Sequence, residues 1–173
     1  MKLVDCGRSF ASLILDIYNE AIIHSTALYD YKPRTIESME TWFADKEKKG
    51  FPIIGLVDEK NRLIGFGTYG NFRARPAYHY TVEHSIYVQK EYRGCGYGEI
   101  LLREIIAKAT EQDYHCLIAG IDSENAASIH LHKKLGFSLC GELKQVGYKF
   151  GRWLNLVFYQ LILPTPQKPQ REI

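Results

Sequence analysis

No stretch of this 173-residue sequence stays apolar for the roughly 18 residues that a bilayer-spanning helix requires, so a soluble chain without a membrane partner is expected. Cysteine is sparse. Cys6, Cys95, Cys116 and Cys140 stand far apart, none in a C-x-x-C pair, and MKLVDCGRSF is not a secretory leader. A reduced, cytoplasmic protein is therefore expected. Neither charge sign dominates: 22 basic residues against 20 acidic ones leave a net charge of +2. That balance gives no broad field to draw nucleic acid or an anionic membrane, and small-molecule partners fit better. There is no internal repeat, and 46% hydrophobic content over this length suits one well-buried domain. No metal is expected either. His130 and His132 point to different faces of any helix, and His79 with His84 lacks a third ligand.

What is present is an alternation of helical and strand patterns. ASLILDIYNEAIIH places Leu13, Ile14, Ile17, Ala21 and Ile22 at helical spacing, after a short strand-like KLVDC. TIESMETWFADKEKK predicts a second helix, with Thr35 able to cap it and Glu37 and Glu40 suited to its positive end. FPIIGLVDE and RLIGFGTYGNF predict a hairpin turning at Lys60, Asn61 and Arg62, and YTVEHSIYV predicts another strand. Then come a glycine-rich junction, a helix in ILLREIIAKATEQ, a buried strand CLIAGIDS, a helix in ENAASIHLHKKLG stopped by Gly136, and two strands, SLCGELKQVGYKF and WLNLVFYQLIL. The order predicts a mixed α/β fold, with antiparallel pairs early and late and a parallel crossover between. The domain is expected over 1–163, with 164–173, PTPQKPQREI, as a flexible tail.

The junction reads EYRGCGYGE. Between a strand and a helix, Gly94, Gly96 and Gly98 let backbone N–H groups from Arg93 through Cys95 and Tyr97 converge on one point, an arrangement that binds phosphate at a helix N-terminus. Arg93 is placed to add a charge. The spacing is neither G-x-G-x-x-G nor a Walker loop, and glycines that only turn the chain fit it equally well. Further on, Asn125, Ser128 and His132 fall on one helical stripe at i, i+3, i+7. His132 alone reads more often as a satisfied core histidine than as a catalytic residue.

Together, R-G-x-G-x-G after a strand and N-x-x-S-x-x-x-H-x-x-x-G-F some thirty residues later resemble the GNAT superfamily of acetyl-CoA-dependent N-acetyltransferases. The longer strings YTVEHSIYV, HLHKKLGF and QVGYKFGRWLNLVFYQL are similar to its phosphinothricin and methionine sulfoximine acetyltransferases. The resemblance implies a GNAT fold, a mixed, mostly antiparallel sheet of six to seven strands flanked by about four helices. It also implies acetyl-CoA as cosubstrate, with its pyrophosphate on the loop 93–98 and its acyl and pantetheine arm along the end of the strand at Ile86, Tyr87 and Val88. Asn125 and Ser128 belong to the same cofactor side.

Acyl transfer to an amine requires an unprotonated nitrogen, whereas a free α-amine is largely charged at neutral pH. Glu83 is the candidate base, alternating onto one strand face with Thr81, Ser85 and Tyr87; an arbitrary strand glutamate more often only solvates an exposed face, and the resemblance reverses that weighting. Backbone N–H groups around Tyr87 and Val88 are candidates to stabilise the tetrahedral oxyanion. By resemblance, His132 stands where relatives place a general acid for the leaving thiol. For the acceptor, GNFRARPAYHY gathers Phe72, Arg73, Arg75 and Tyr78, and either arginine suits a substrate carboxylate. Tyr29 is implied on the pocket's other side. Lys149, Arg152 and Trp153 match a family signature, with Asn155 where relatives often carry aspartate. The expected enzyme acetylates a small amino-acid analogue such as methionine sulfoximine, methionine sulfone or phosphinothricin, as a homodimer. Its rivals are a GNAT enzyme for a protein N-terminus or a polyamine, and a non-catalytic CoA-binding sensor.

Overall fold

A computed structural model describes residues 1–169. Seven strands form one sheet in the order β1-β2-β3-β4-β5-β7-β6: β1 (Lys2–Asp5), β2 (Ile53–Val57), β3 (Leu63–Asn71), β4 (Thr81–Val88), β5 (Cys116–Asp122), β6 (Ser138–Lys149) and β7 (Arg152–Ile162). Every pairing is antiparallel except β4 with β5. Among the described residues there are four α-helices, α1 (Ala11–His24), α2 (Ile36–Lys49), α3 (Tyr97–Glu111) and α4 (Ala126–Lys134). The expected mixed, mostly antiparallel sheet with about four helices is the architecture found.

Two apolar cores lie on opposite faces of the sheet. On one, α1 turns Ile14, Ile17 and Tyr18 inward, and α2 adds Met39 and Phe43 against Val57, Leu63 and Phe66. On the other, Leu101, Leu102 and Ile105 of α3 pack on Val82, Leu117 and Ala119. The caps follow their chemistry. Thr35 accepts from the Ser38 amide at the start of α2, and Gly50 ends that helix in the left-handed region at φ 66°. α3 begins at Tyr97, three residues ahead of the apolar pattern, because Gly96 caps it at φ 82°.

The parallel pair is short. β4 meets β5 only from Thr81 opposite Cys116 to Glu83 opposite Ile118, although β4 runs on to Val88 and β5 to Asp122. Beyond Glu83 the strands part, opening a cleft at their carboxyl ends, where open α/β sheets bind ligands. In the stretch 164–173, expected as a flexible tail, Thr165, its second residue, donates its hydroxyl to the Tyr114 carbonyl and receives His115 Nδ1 at its own carbonyl. Residues 170–173 of that tail lie outside the described residues.

Candidate active site

The cleft between β4 and β5 is lined from two directions. The Gln89 amide donates to the Ile64 carbonyl of β3, and strand alternation then turns the Ile86 and Val88 amides toward the side that β5 has vacated, while the Tyr87 amide faces β3. α3 and α4 each follow one of the parting strands, and they meet where a side chain on Gly98 would lie 3.4 Å from Leu131. Gly94 and Gly96 both have positive φ, and a Cβ on either would meet no atom within 4 Å. The loop thus presents bare backbone at the N-terminus of a 15-residue helix, an arrangement that fits a pyrophosphate.

Arg93 does not offer this loop a free charge. Its guanidinium pairs with Glu20 of α1, and its Nε donates to the Val88 carbonyl at 3.0 Å. Cys95 is exposed, Tyr97 opens α3, and Ile86 and Val88 pack against the α3 core. Asn125 caps α4 by accepting from the Ser128 amide at 3.1 Å.

His132 is 5% exposed, and both of its ring nitrogens are engaged. Nε2 lies 2.9 Å from His84 Nε2, and Nδ1 lies 2.7 Å from the Ser128 carbonyl. His84 Nδ1 in turn meets the Ile118 carbonyl at 2.8 Å. Burial pushes His132 below its ordinary value and His84 down to about 3, the neighbouring His132 adding to the second shift. The histidine pair fastens α4 to β4 where β5 begins to part from it. Among the described residues no group of three or more His, Cys, Asp or Glu is placed to hold a metal ion, and no helix is long and apolar enough to cross a membrane.

On the opposite face of β4 lies a cavity of about 370 Å³ between the sheet and the two N-terminal helices. Glu83, Ser85 and Tyr87 enter it from β4, as the alternation predicts, with Thr68 and Gly70 beside them on β3. Tyr18, Arg34, Trp42 and Lys46 close it from above. Burial raises the Glu83 carboxyl, and the Arg73 charge opposes that rise. A Cβ on Gly120 would stand 3.0 Å from Glu83 Oε1, so the carboxylate also reaches toward β5 at the point where the strands separate. Glu83 thereby adjoins both the cavity and the cleft.

The other predicted acceptor residues divide. The Arg73 guanidinium lies 4.5 Å from the centre of the Phe72 ring, which meets Tyr78 and Phe158 edge-on. Arg75 is exposed at the start of a 3-10 turn, Pro76–Tyr78. Tyr29 lies outside the cavity lining. Among the described residues its hydroxyl is buried without a hydrogen-bond partner, as is Asp122 Oδ2, and its ring passes 2.7 Å from where a Cβ on Gly147 would stand. Lys149 holds the segment that leads to Tyr29 by donating to the carbonyls of Ile22, Ser25 and Leu28. Arg152 pairs with Glu124 at 2.7 Å, and Asn155 accepts from the Gln145 amide at 2.8 Å.

Sequence reasoning missed His84, Tyr18, Arg34, Trp42 and Lys46. His84 left a signal, being the one polar residue on the Val82–Ile86–Val88 face of its strand. Trp42 and Lys46, four apart on α2, form one helical stripe that also passed unnoticed.

Known proteins place this geometry. The chain is 42% identical over 166 residues to an L-methionine sulfoximine/L-methionine sulfone acetyltransferase of Pseudomonas aeruginosa, covering 95% of this chain and 96% of the relative. A solved structure from Acinetobacter baylyi superposes with a TM-score of 0.97 at 53% identity, over 99% of this chain and 96% of the other. A phosphinothricin acetyltransferase of the GNAT superfamily from Sinorhizobium meliloti, solved in complex with acetyl-CoA, superposes at 0.94 with 34% identity, over 99% and 93%. Residues 14–137 match the acetyltransferase (GNAT) family model, and with the parted strands, the glycine loop and full-length relatives in agreement, the chain belongs to that family.

Proposed function

We propose that this chain transfers acetyl from acetyl-CoA directly to the α-amine of a small amino-acid analogue, with methionine sulfoximine, methionine sulfone and phosphinothricin as the acceptor class. The observation that carries the reading is the position of Glu83, a half-buried carboxylate shared by the acceptor cavity and the mouth of the β4–β5 cleft. The names of the Pseudomonas and Sinorhizobium relatives supply the acceptor class.

In the proposed reaction the thioester lies in the cleft, its pyrophosphate on the backbone of 93–98, with Asn125 and Ser128 ordering the neighbouring start of α4. Glu83 takes a proton from the acceptor ammonium, directly or through water. The freed nitrogen attacks the carbonyl carbon, and the C–N bond forms as the carbonyl π electrons move to oxygen. The Val88 and Ile86 amides, turned toward the vacated side of the sheet, are placed to meet that oxyanion. The intermediate collapses with cleavage of the C–S bond, and CoA leaves as thiolate, which a thiol pKa near 8.5 permits without an obligatory acid. A general-acid role for His132 would require release of a proton from its contact with His84 or the Ser128 carbonyl. Arg73, close enough to lower the Glu83 carboxyl, is the better placed of the two arginines for the acceptor carboxylate. Phe72 and Tyr78 then flank Arg73 on the acceptor side, while Tyr29 stands beyond the cavity lining, against Gly147.

The same reading gives one catalytic domain over 1–163, working in the cytoplasm to detoxify such analogues. A homodimer is supported by the β6–β7 hairpin, whose Leu139, Leu143, Val146, Phe150 and Trp153 are all exposed. A polyamine or an extended protein N-terminus suits a broad acidic groove, whereas this cavity holds Lys46 and Arg34 against the one carboxylate of Glu83. Product mass spectrometry with acetyl-CoA and methionine sulfone, phosphinothricin, spermidine or an N-terminal peptide tests the assignment. N-acetylated sulfone and phosphinothricin support it. Product from spermidine or peptide alone overturns the acceptor class, and tight CoA binding without any product overturns catalysis.

A further inference from the structure

Of the two cations of the cavity, Lys46 makes no ion pair among the described residues, the Asp45 carboxylate acting on it only at longer range. Its Nζ donates to the Tyr69 carbonyl at 2.5 Å and lies 5.6 Å from the centre of the Trp42 ring and 5.5 Å from that of Phe51. Among the described residues, no carboxylate lies within ion-pair distance of it. Arg34, the other cation of the cavity, differs. Its guanidinium pairs with Asp30 at 3.2 Å and lies 4.1 Å over the Tyr18 ring. Half-buried with one carbonyl acceptor, the Lys46 ammonium keeps two further donors, and desolvating an unpaired charge is costly until an anion arrives.

The ammonium also stands in the right place. A Cβ on Gly70 would lie 3.5 Å from Nζ, and Gly70 is the cross-strand partner of Glu83 on β3. The absence of a side chain at 70 keeps open the path between ammonium and carboxylate. An acceptor whose amine sits at Glu83 therefore has its oxygen-bearing groups within the same cavity as Lys46.

We propose that Lys46 is a specificity-determining residue that binds an oxyanion of the acceptor, either the tetrahedral side-chain group or the α-carboxylate, at the end of the cavity remote from the thioester. This rests on the acetyltransferase reading above and adds to it a residue outside the loop that carries Arg73 and Arg75. Burial draws the ammonium down to about 8, so it is mostly charged at neutral pH, and an arriving anion draws its affinity for the proton back up.

Lys46→Gln and Lys46→Arg test this in steady-state kinetics with three acceptors: phosphinothricin, methionine sulfone, and methionine sulfone amide, which lacks the α-carboxylate. Lys46→Gln is expected to raise KM at least tenfold for an acceptor whose oxyanion it holds, with kcat and the KM for acetyl-CoA within about twofold, and Lys46→Arg to restore most of the loss. A loss confined to phosphinothricin assigns the side-chain group. Equal losses for phosphinothricin and the sulfone, with the amide spared, assign the carboxylate. Unchanged KM for all three, or a fall in kcat alone, overturns the proposal. Turnover of none of the three by the wild type would count against the acceptor class instead. In that case the Lys46 13Cε resonance, titrated with and without methylphosphinate, reads the site without catalysis. An upward shift of its midpoint supports oxyanion binding, and an unmoved midpoint refutes it.

Discussion

Replacing Gly96 with alanine separates the two readings of the glycine loop, one in which glycine only turns the chain and one in which bare backbone holds a phosphate. At φ 82° alanine is strained, and since a Cβ there meets nothing within 4 Å the cost is conformational rather than steric. A left-handed non-glycine residue costs about 1–2 kcal/mol, which lowers Tm by roughly 2–8 °C in a domain of this size. Gly50 is an internal control. It has φ 66° with an equally empty surround but caps the far end of α2, away from the cleft. Gly50→Ala and Gly96→Ala should therefore lose similar stability by thermal denaturation. Only Gly96→Ala should impair the cosubstrate, because its methyl would add bulk to the bare backbone proposed to hold the pyrophosphate. Losing one charge-assisted hydrogen bond, about 1.5–3 kcal/mol, corresponds to a rise of roughly tenfold to a hundredfold in the KM for acetyl-CoA and in the CoA Kd by calorimetry. Equal stability losses with unchanged CoA affinity in both variants would refute the cradle and leave the glycines as turn formers.

Other expectations follow from the same geometry. Arg73 holds the Glu83 carboxyl down against burial, so Arg73→Gln should move the acid limb of the kcat/KM profile to higher pH, and an unmoved limb would separate the two groups. Lys149→Met removes a charged donor from three carbonyls around the end of α1, and a loss of about 2–4 kcal/mol, read in urea unfolding, is expected. His132→Asn orphans a buried His84 nitrogen. It should destabilise the fold by about 1–3 kcal/mol while lowering kcat less than tenfold, whereas a much larger kcat loss with a vanished basic limb would make His132 the general acid.

Much of the fold was legible because periodicity is a local property. Ile14, Ile17, Ala21 and Ile22 announce α1, which the structure bounds at Ala11–His24 as the pattern predicts. The alternation that set Glu83, Ser85 and Tyr87 on one face likewise needed only β4 itself. What stayed hidden depends on tertiary approach. His84 and His132 are 48 residues apart and meet only because α4 packs across the parting strands. Lys149 finds its carbonyls more than 120 residues upstream. Arg93, read as a free charge for the loop, is neutralised by Glu20 of α1, which no pattern near residue 93 foretells.

The central claim is that Glu83 deprotonates the acceptor amine, and the pH dependence of CoA thiol release with methionine sulfone, in wild type and Glu83→Gln, tests it most directly. General-base loss predicts a fall of roughly 10²- to 10⁴-fold in kcat, an unchanged KM for acetyl-CoA, and a mutant rate that keeps rising with pH as free amine accumulates. A mutant with wild-type kcat and the wild-type pH profile would contradict the account.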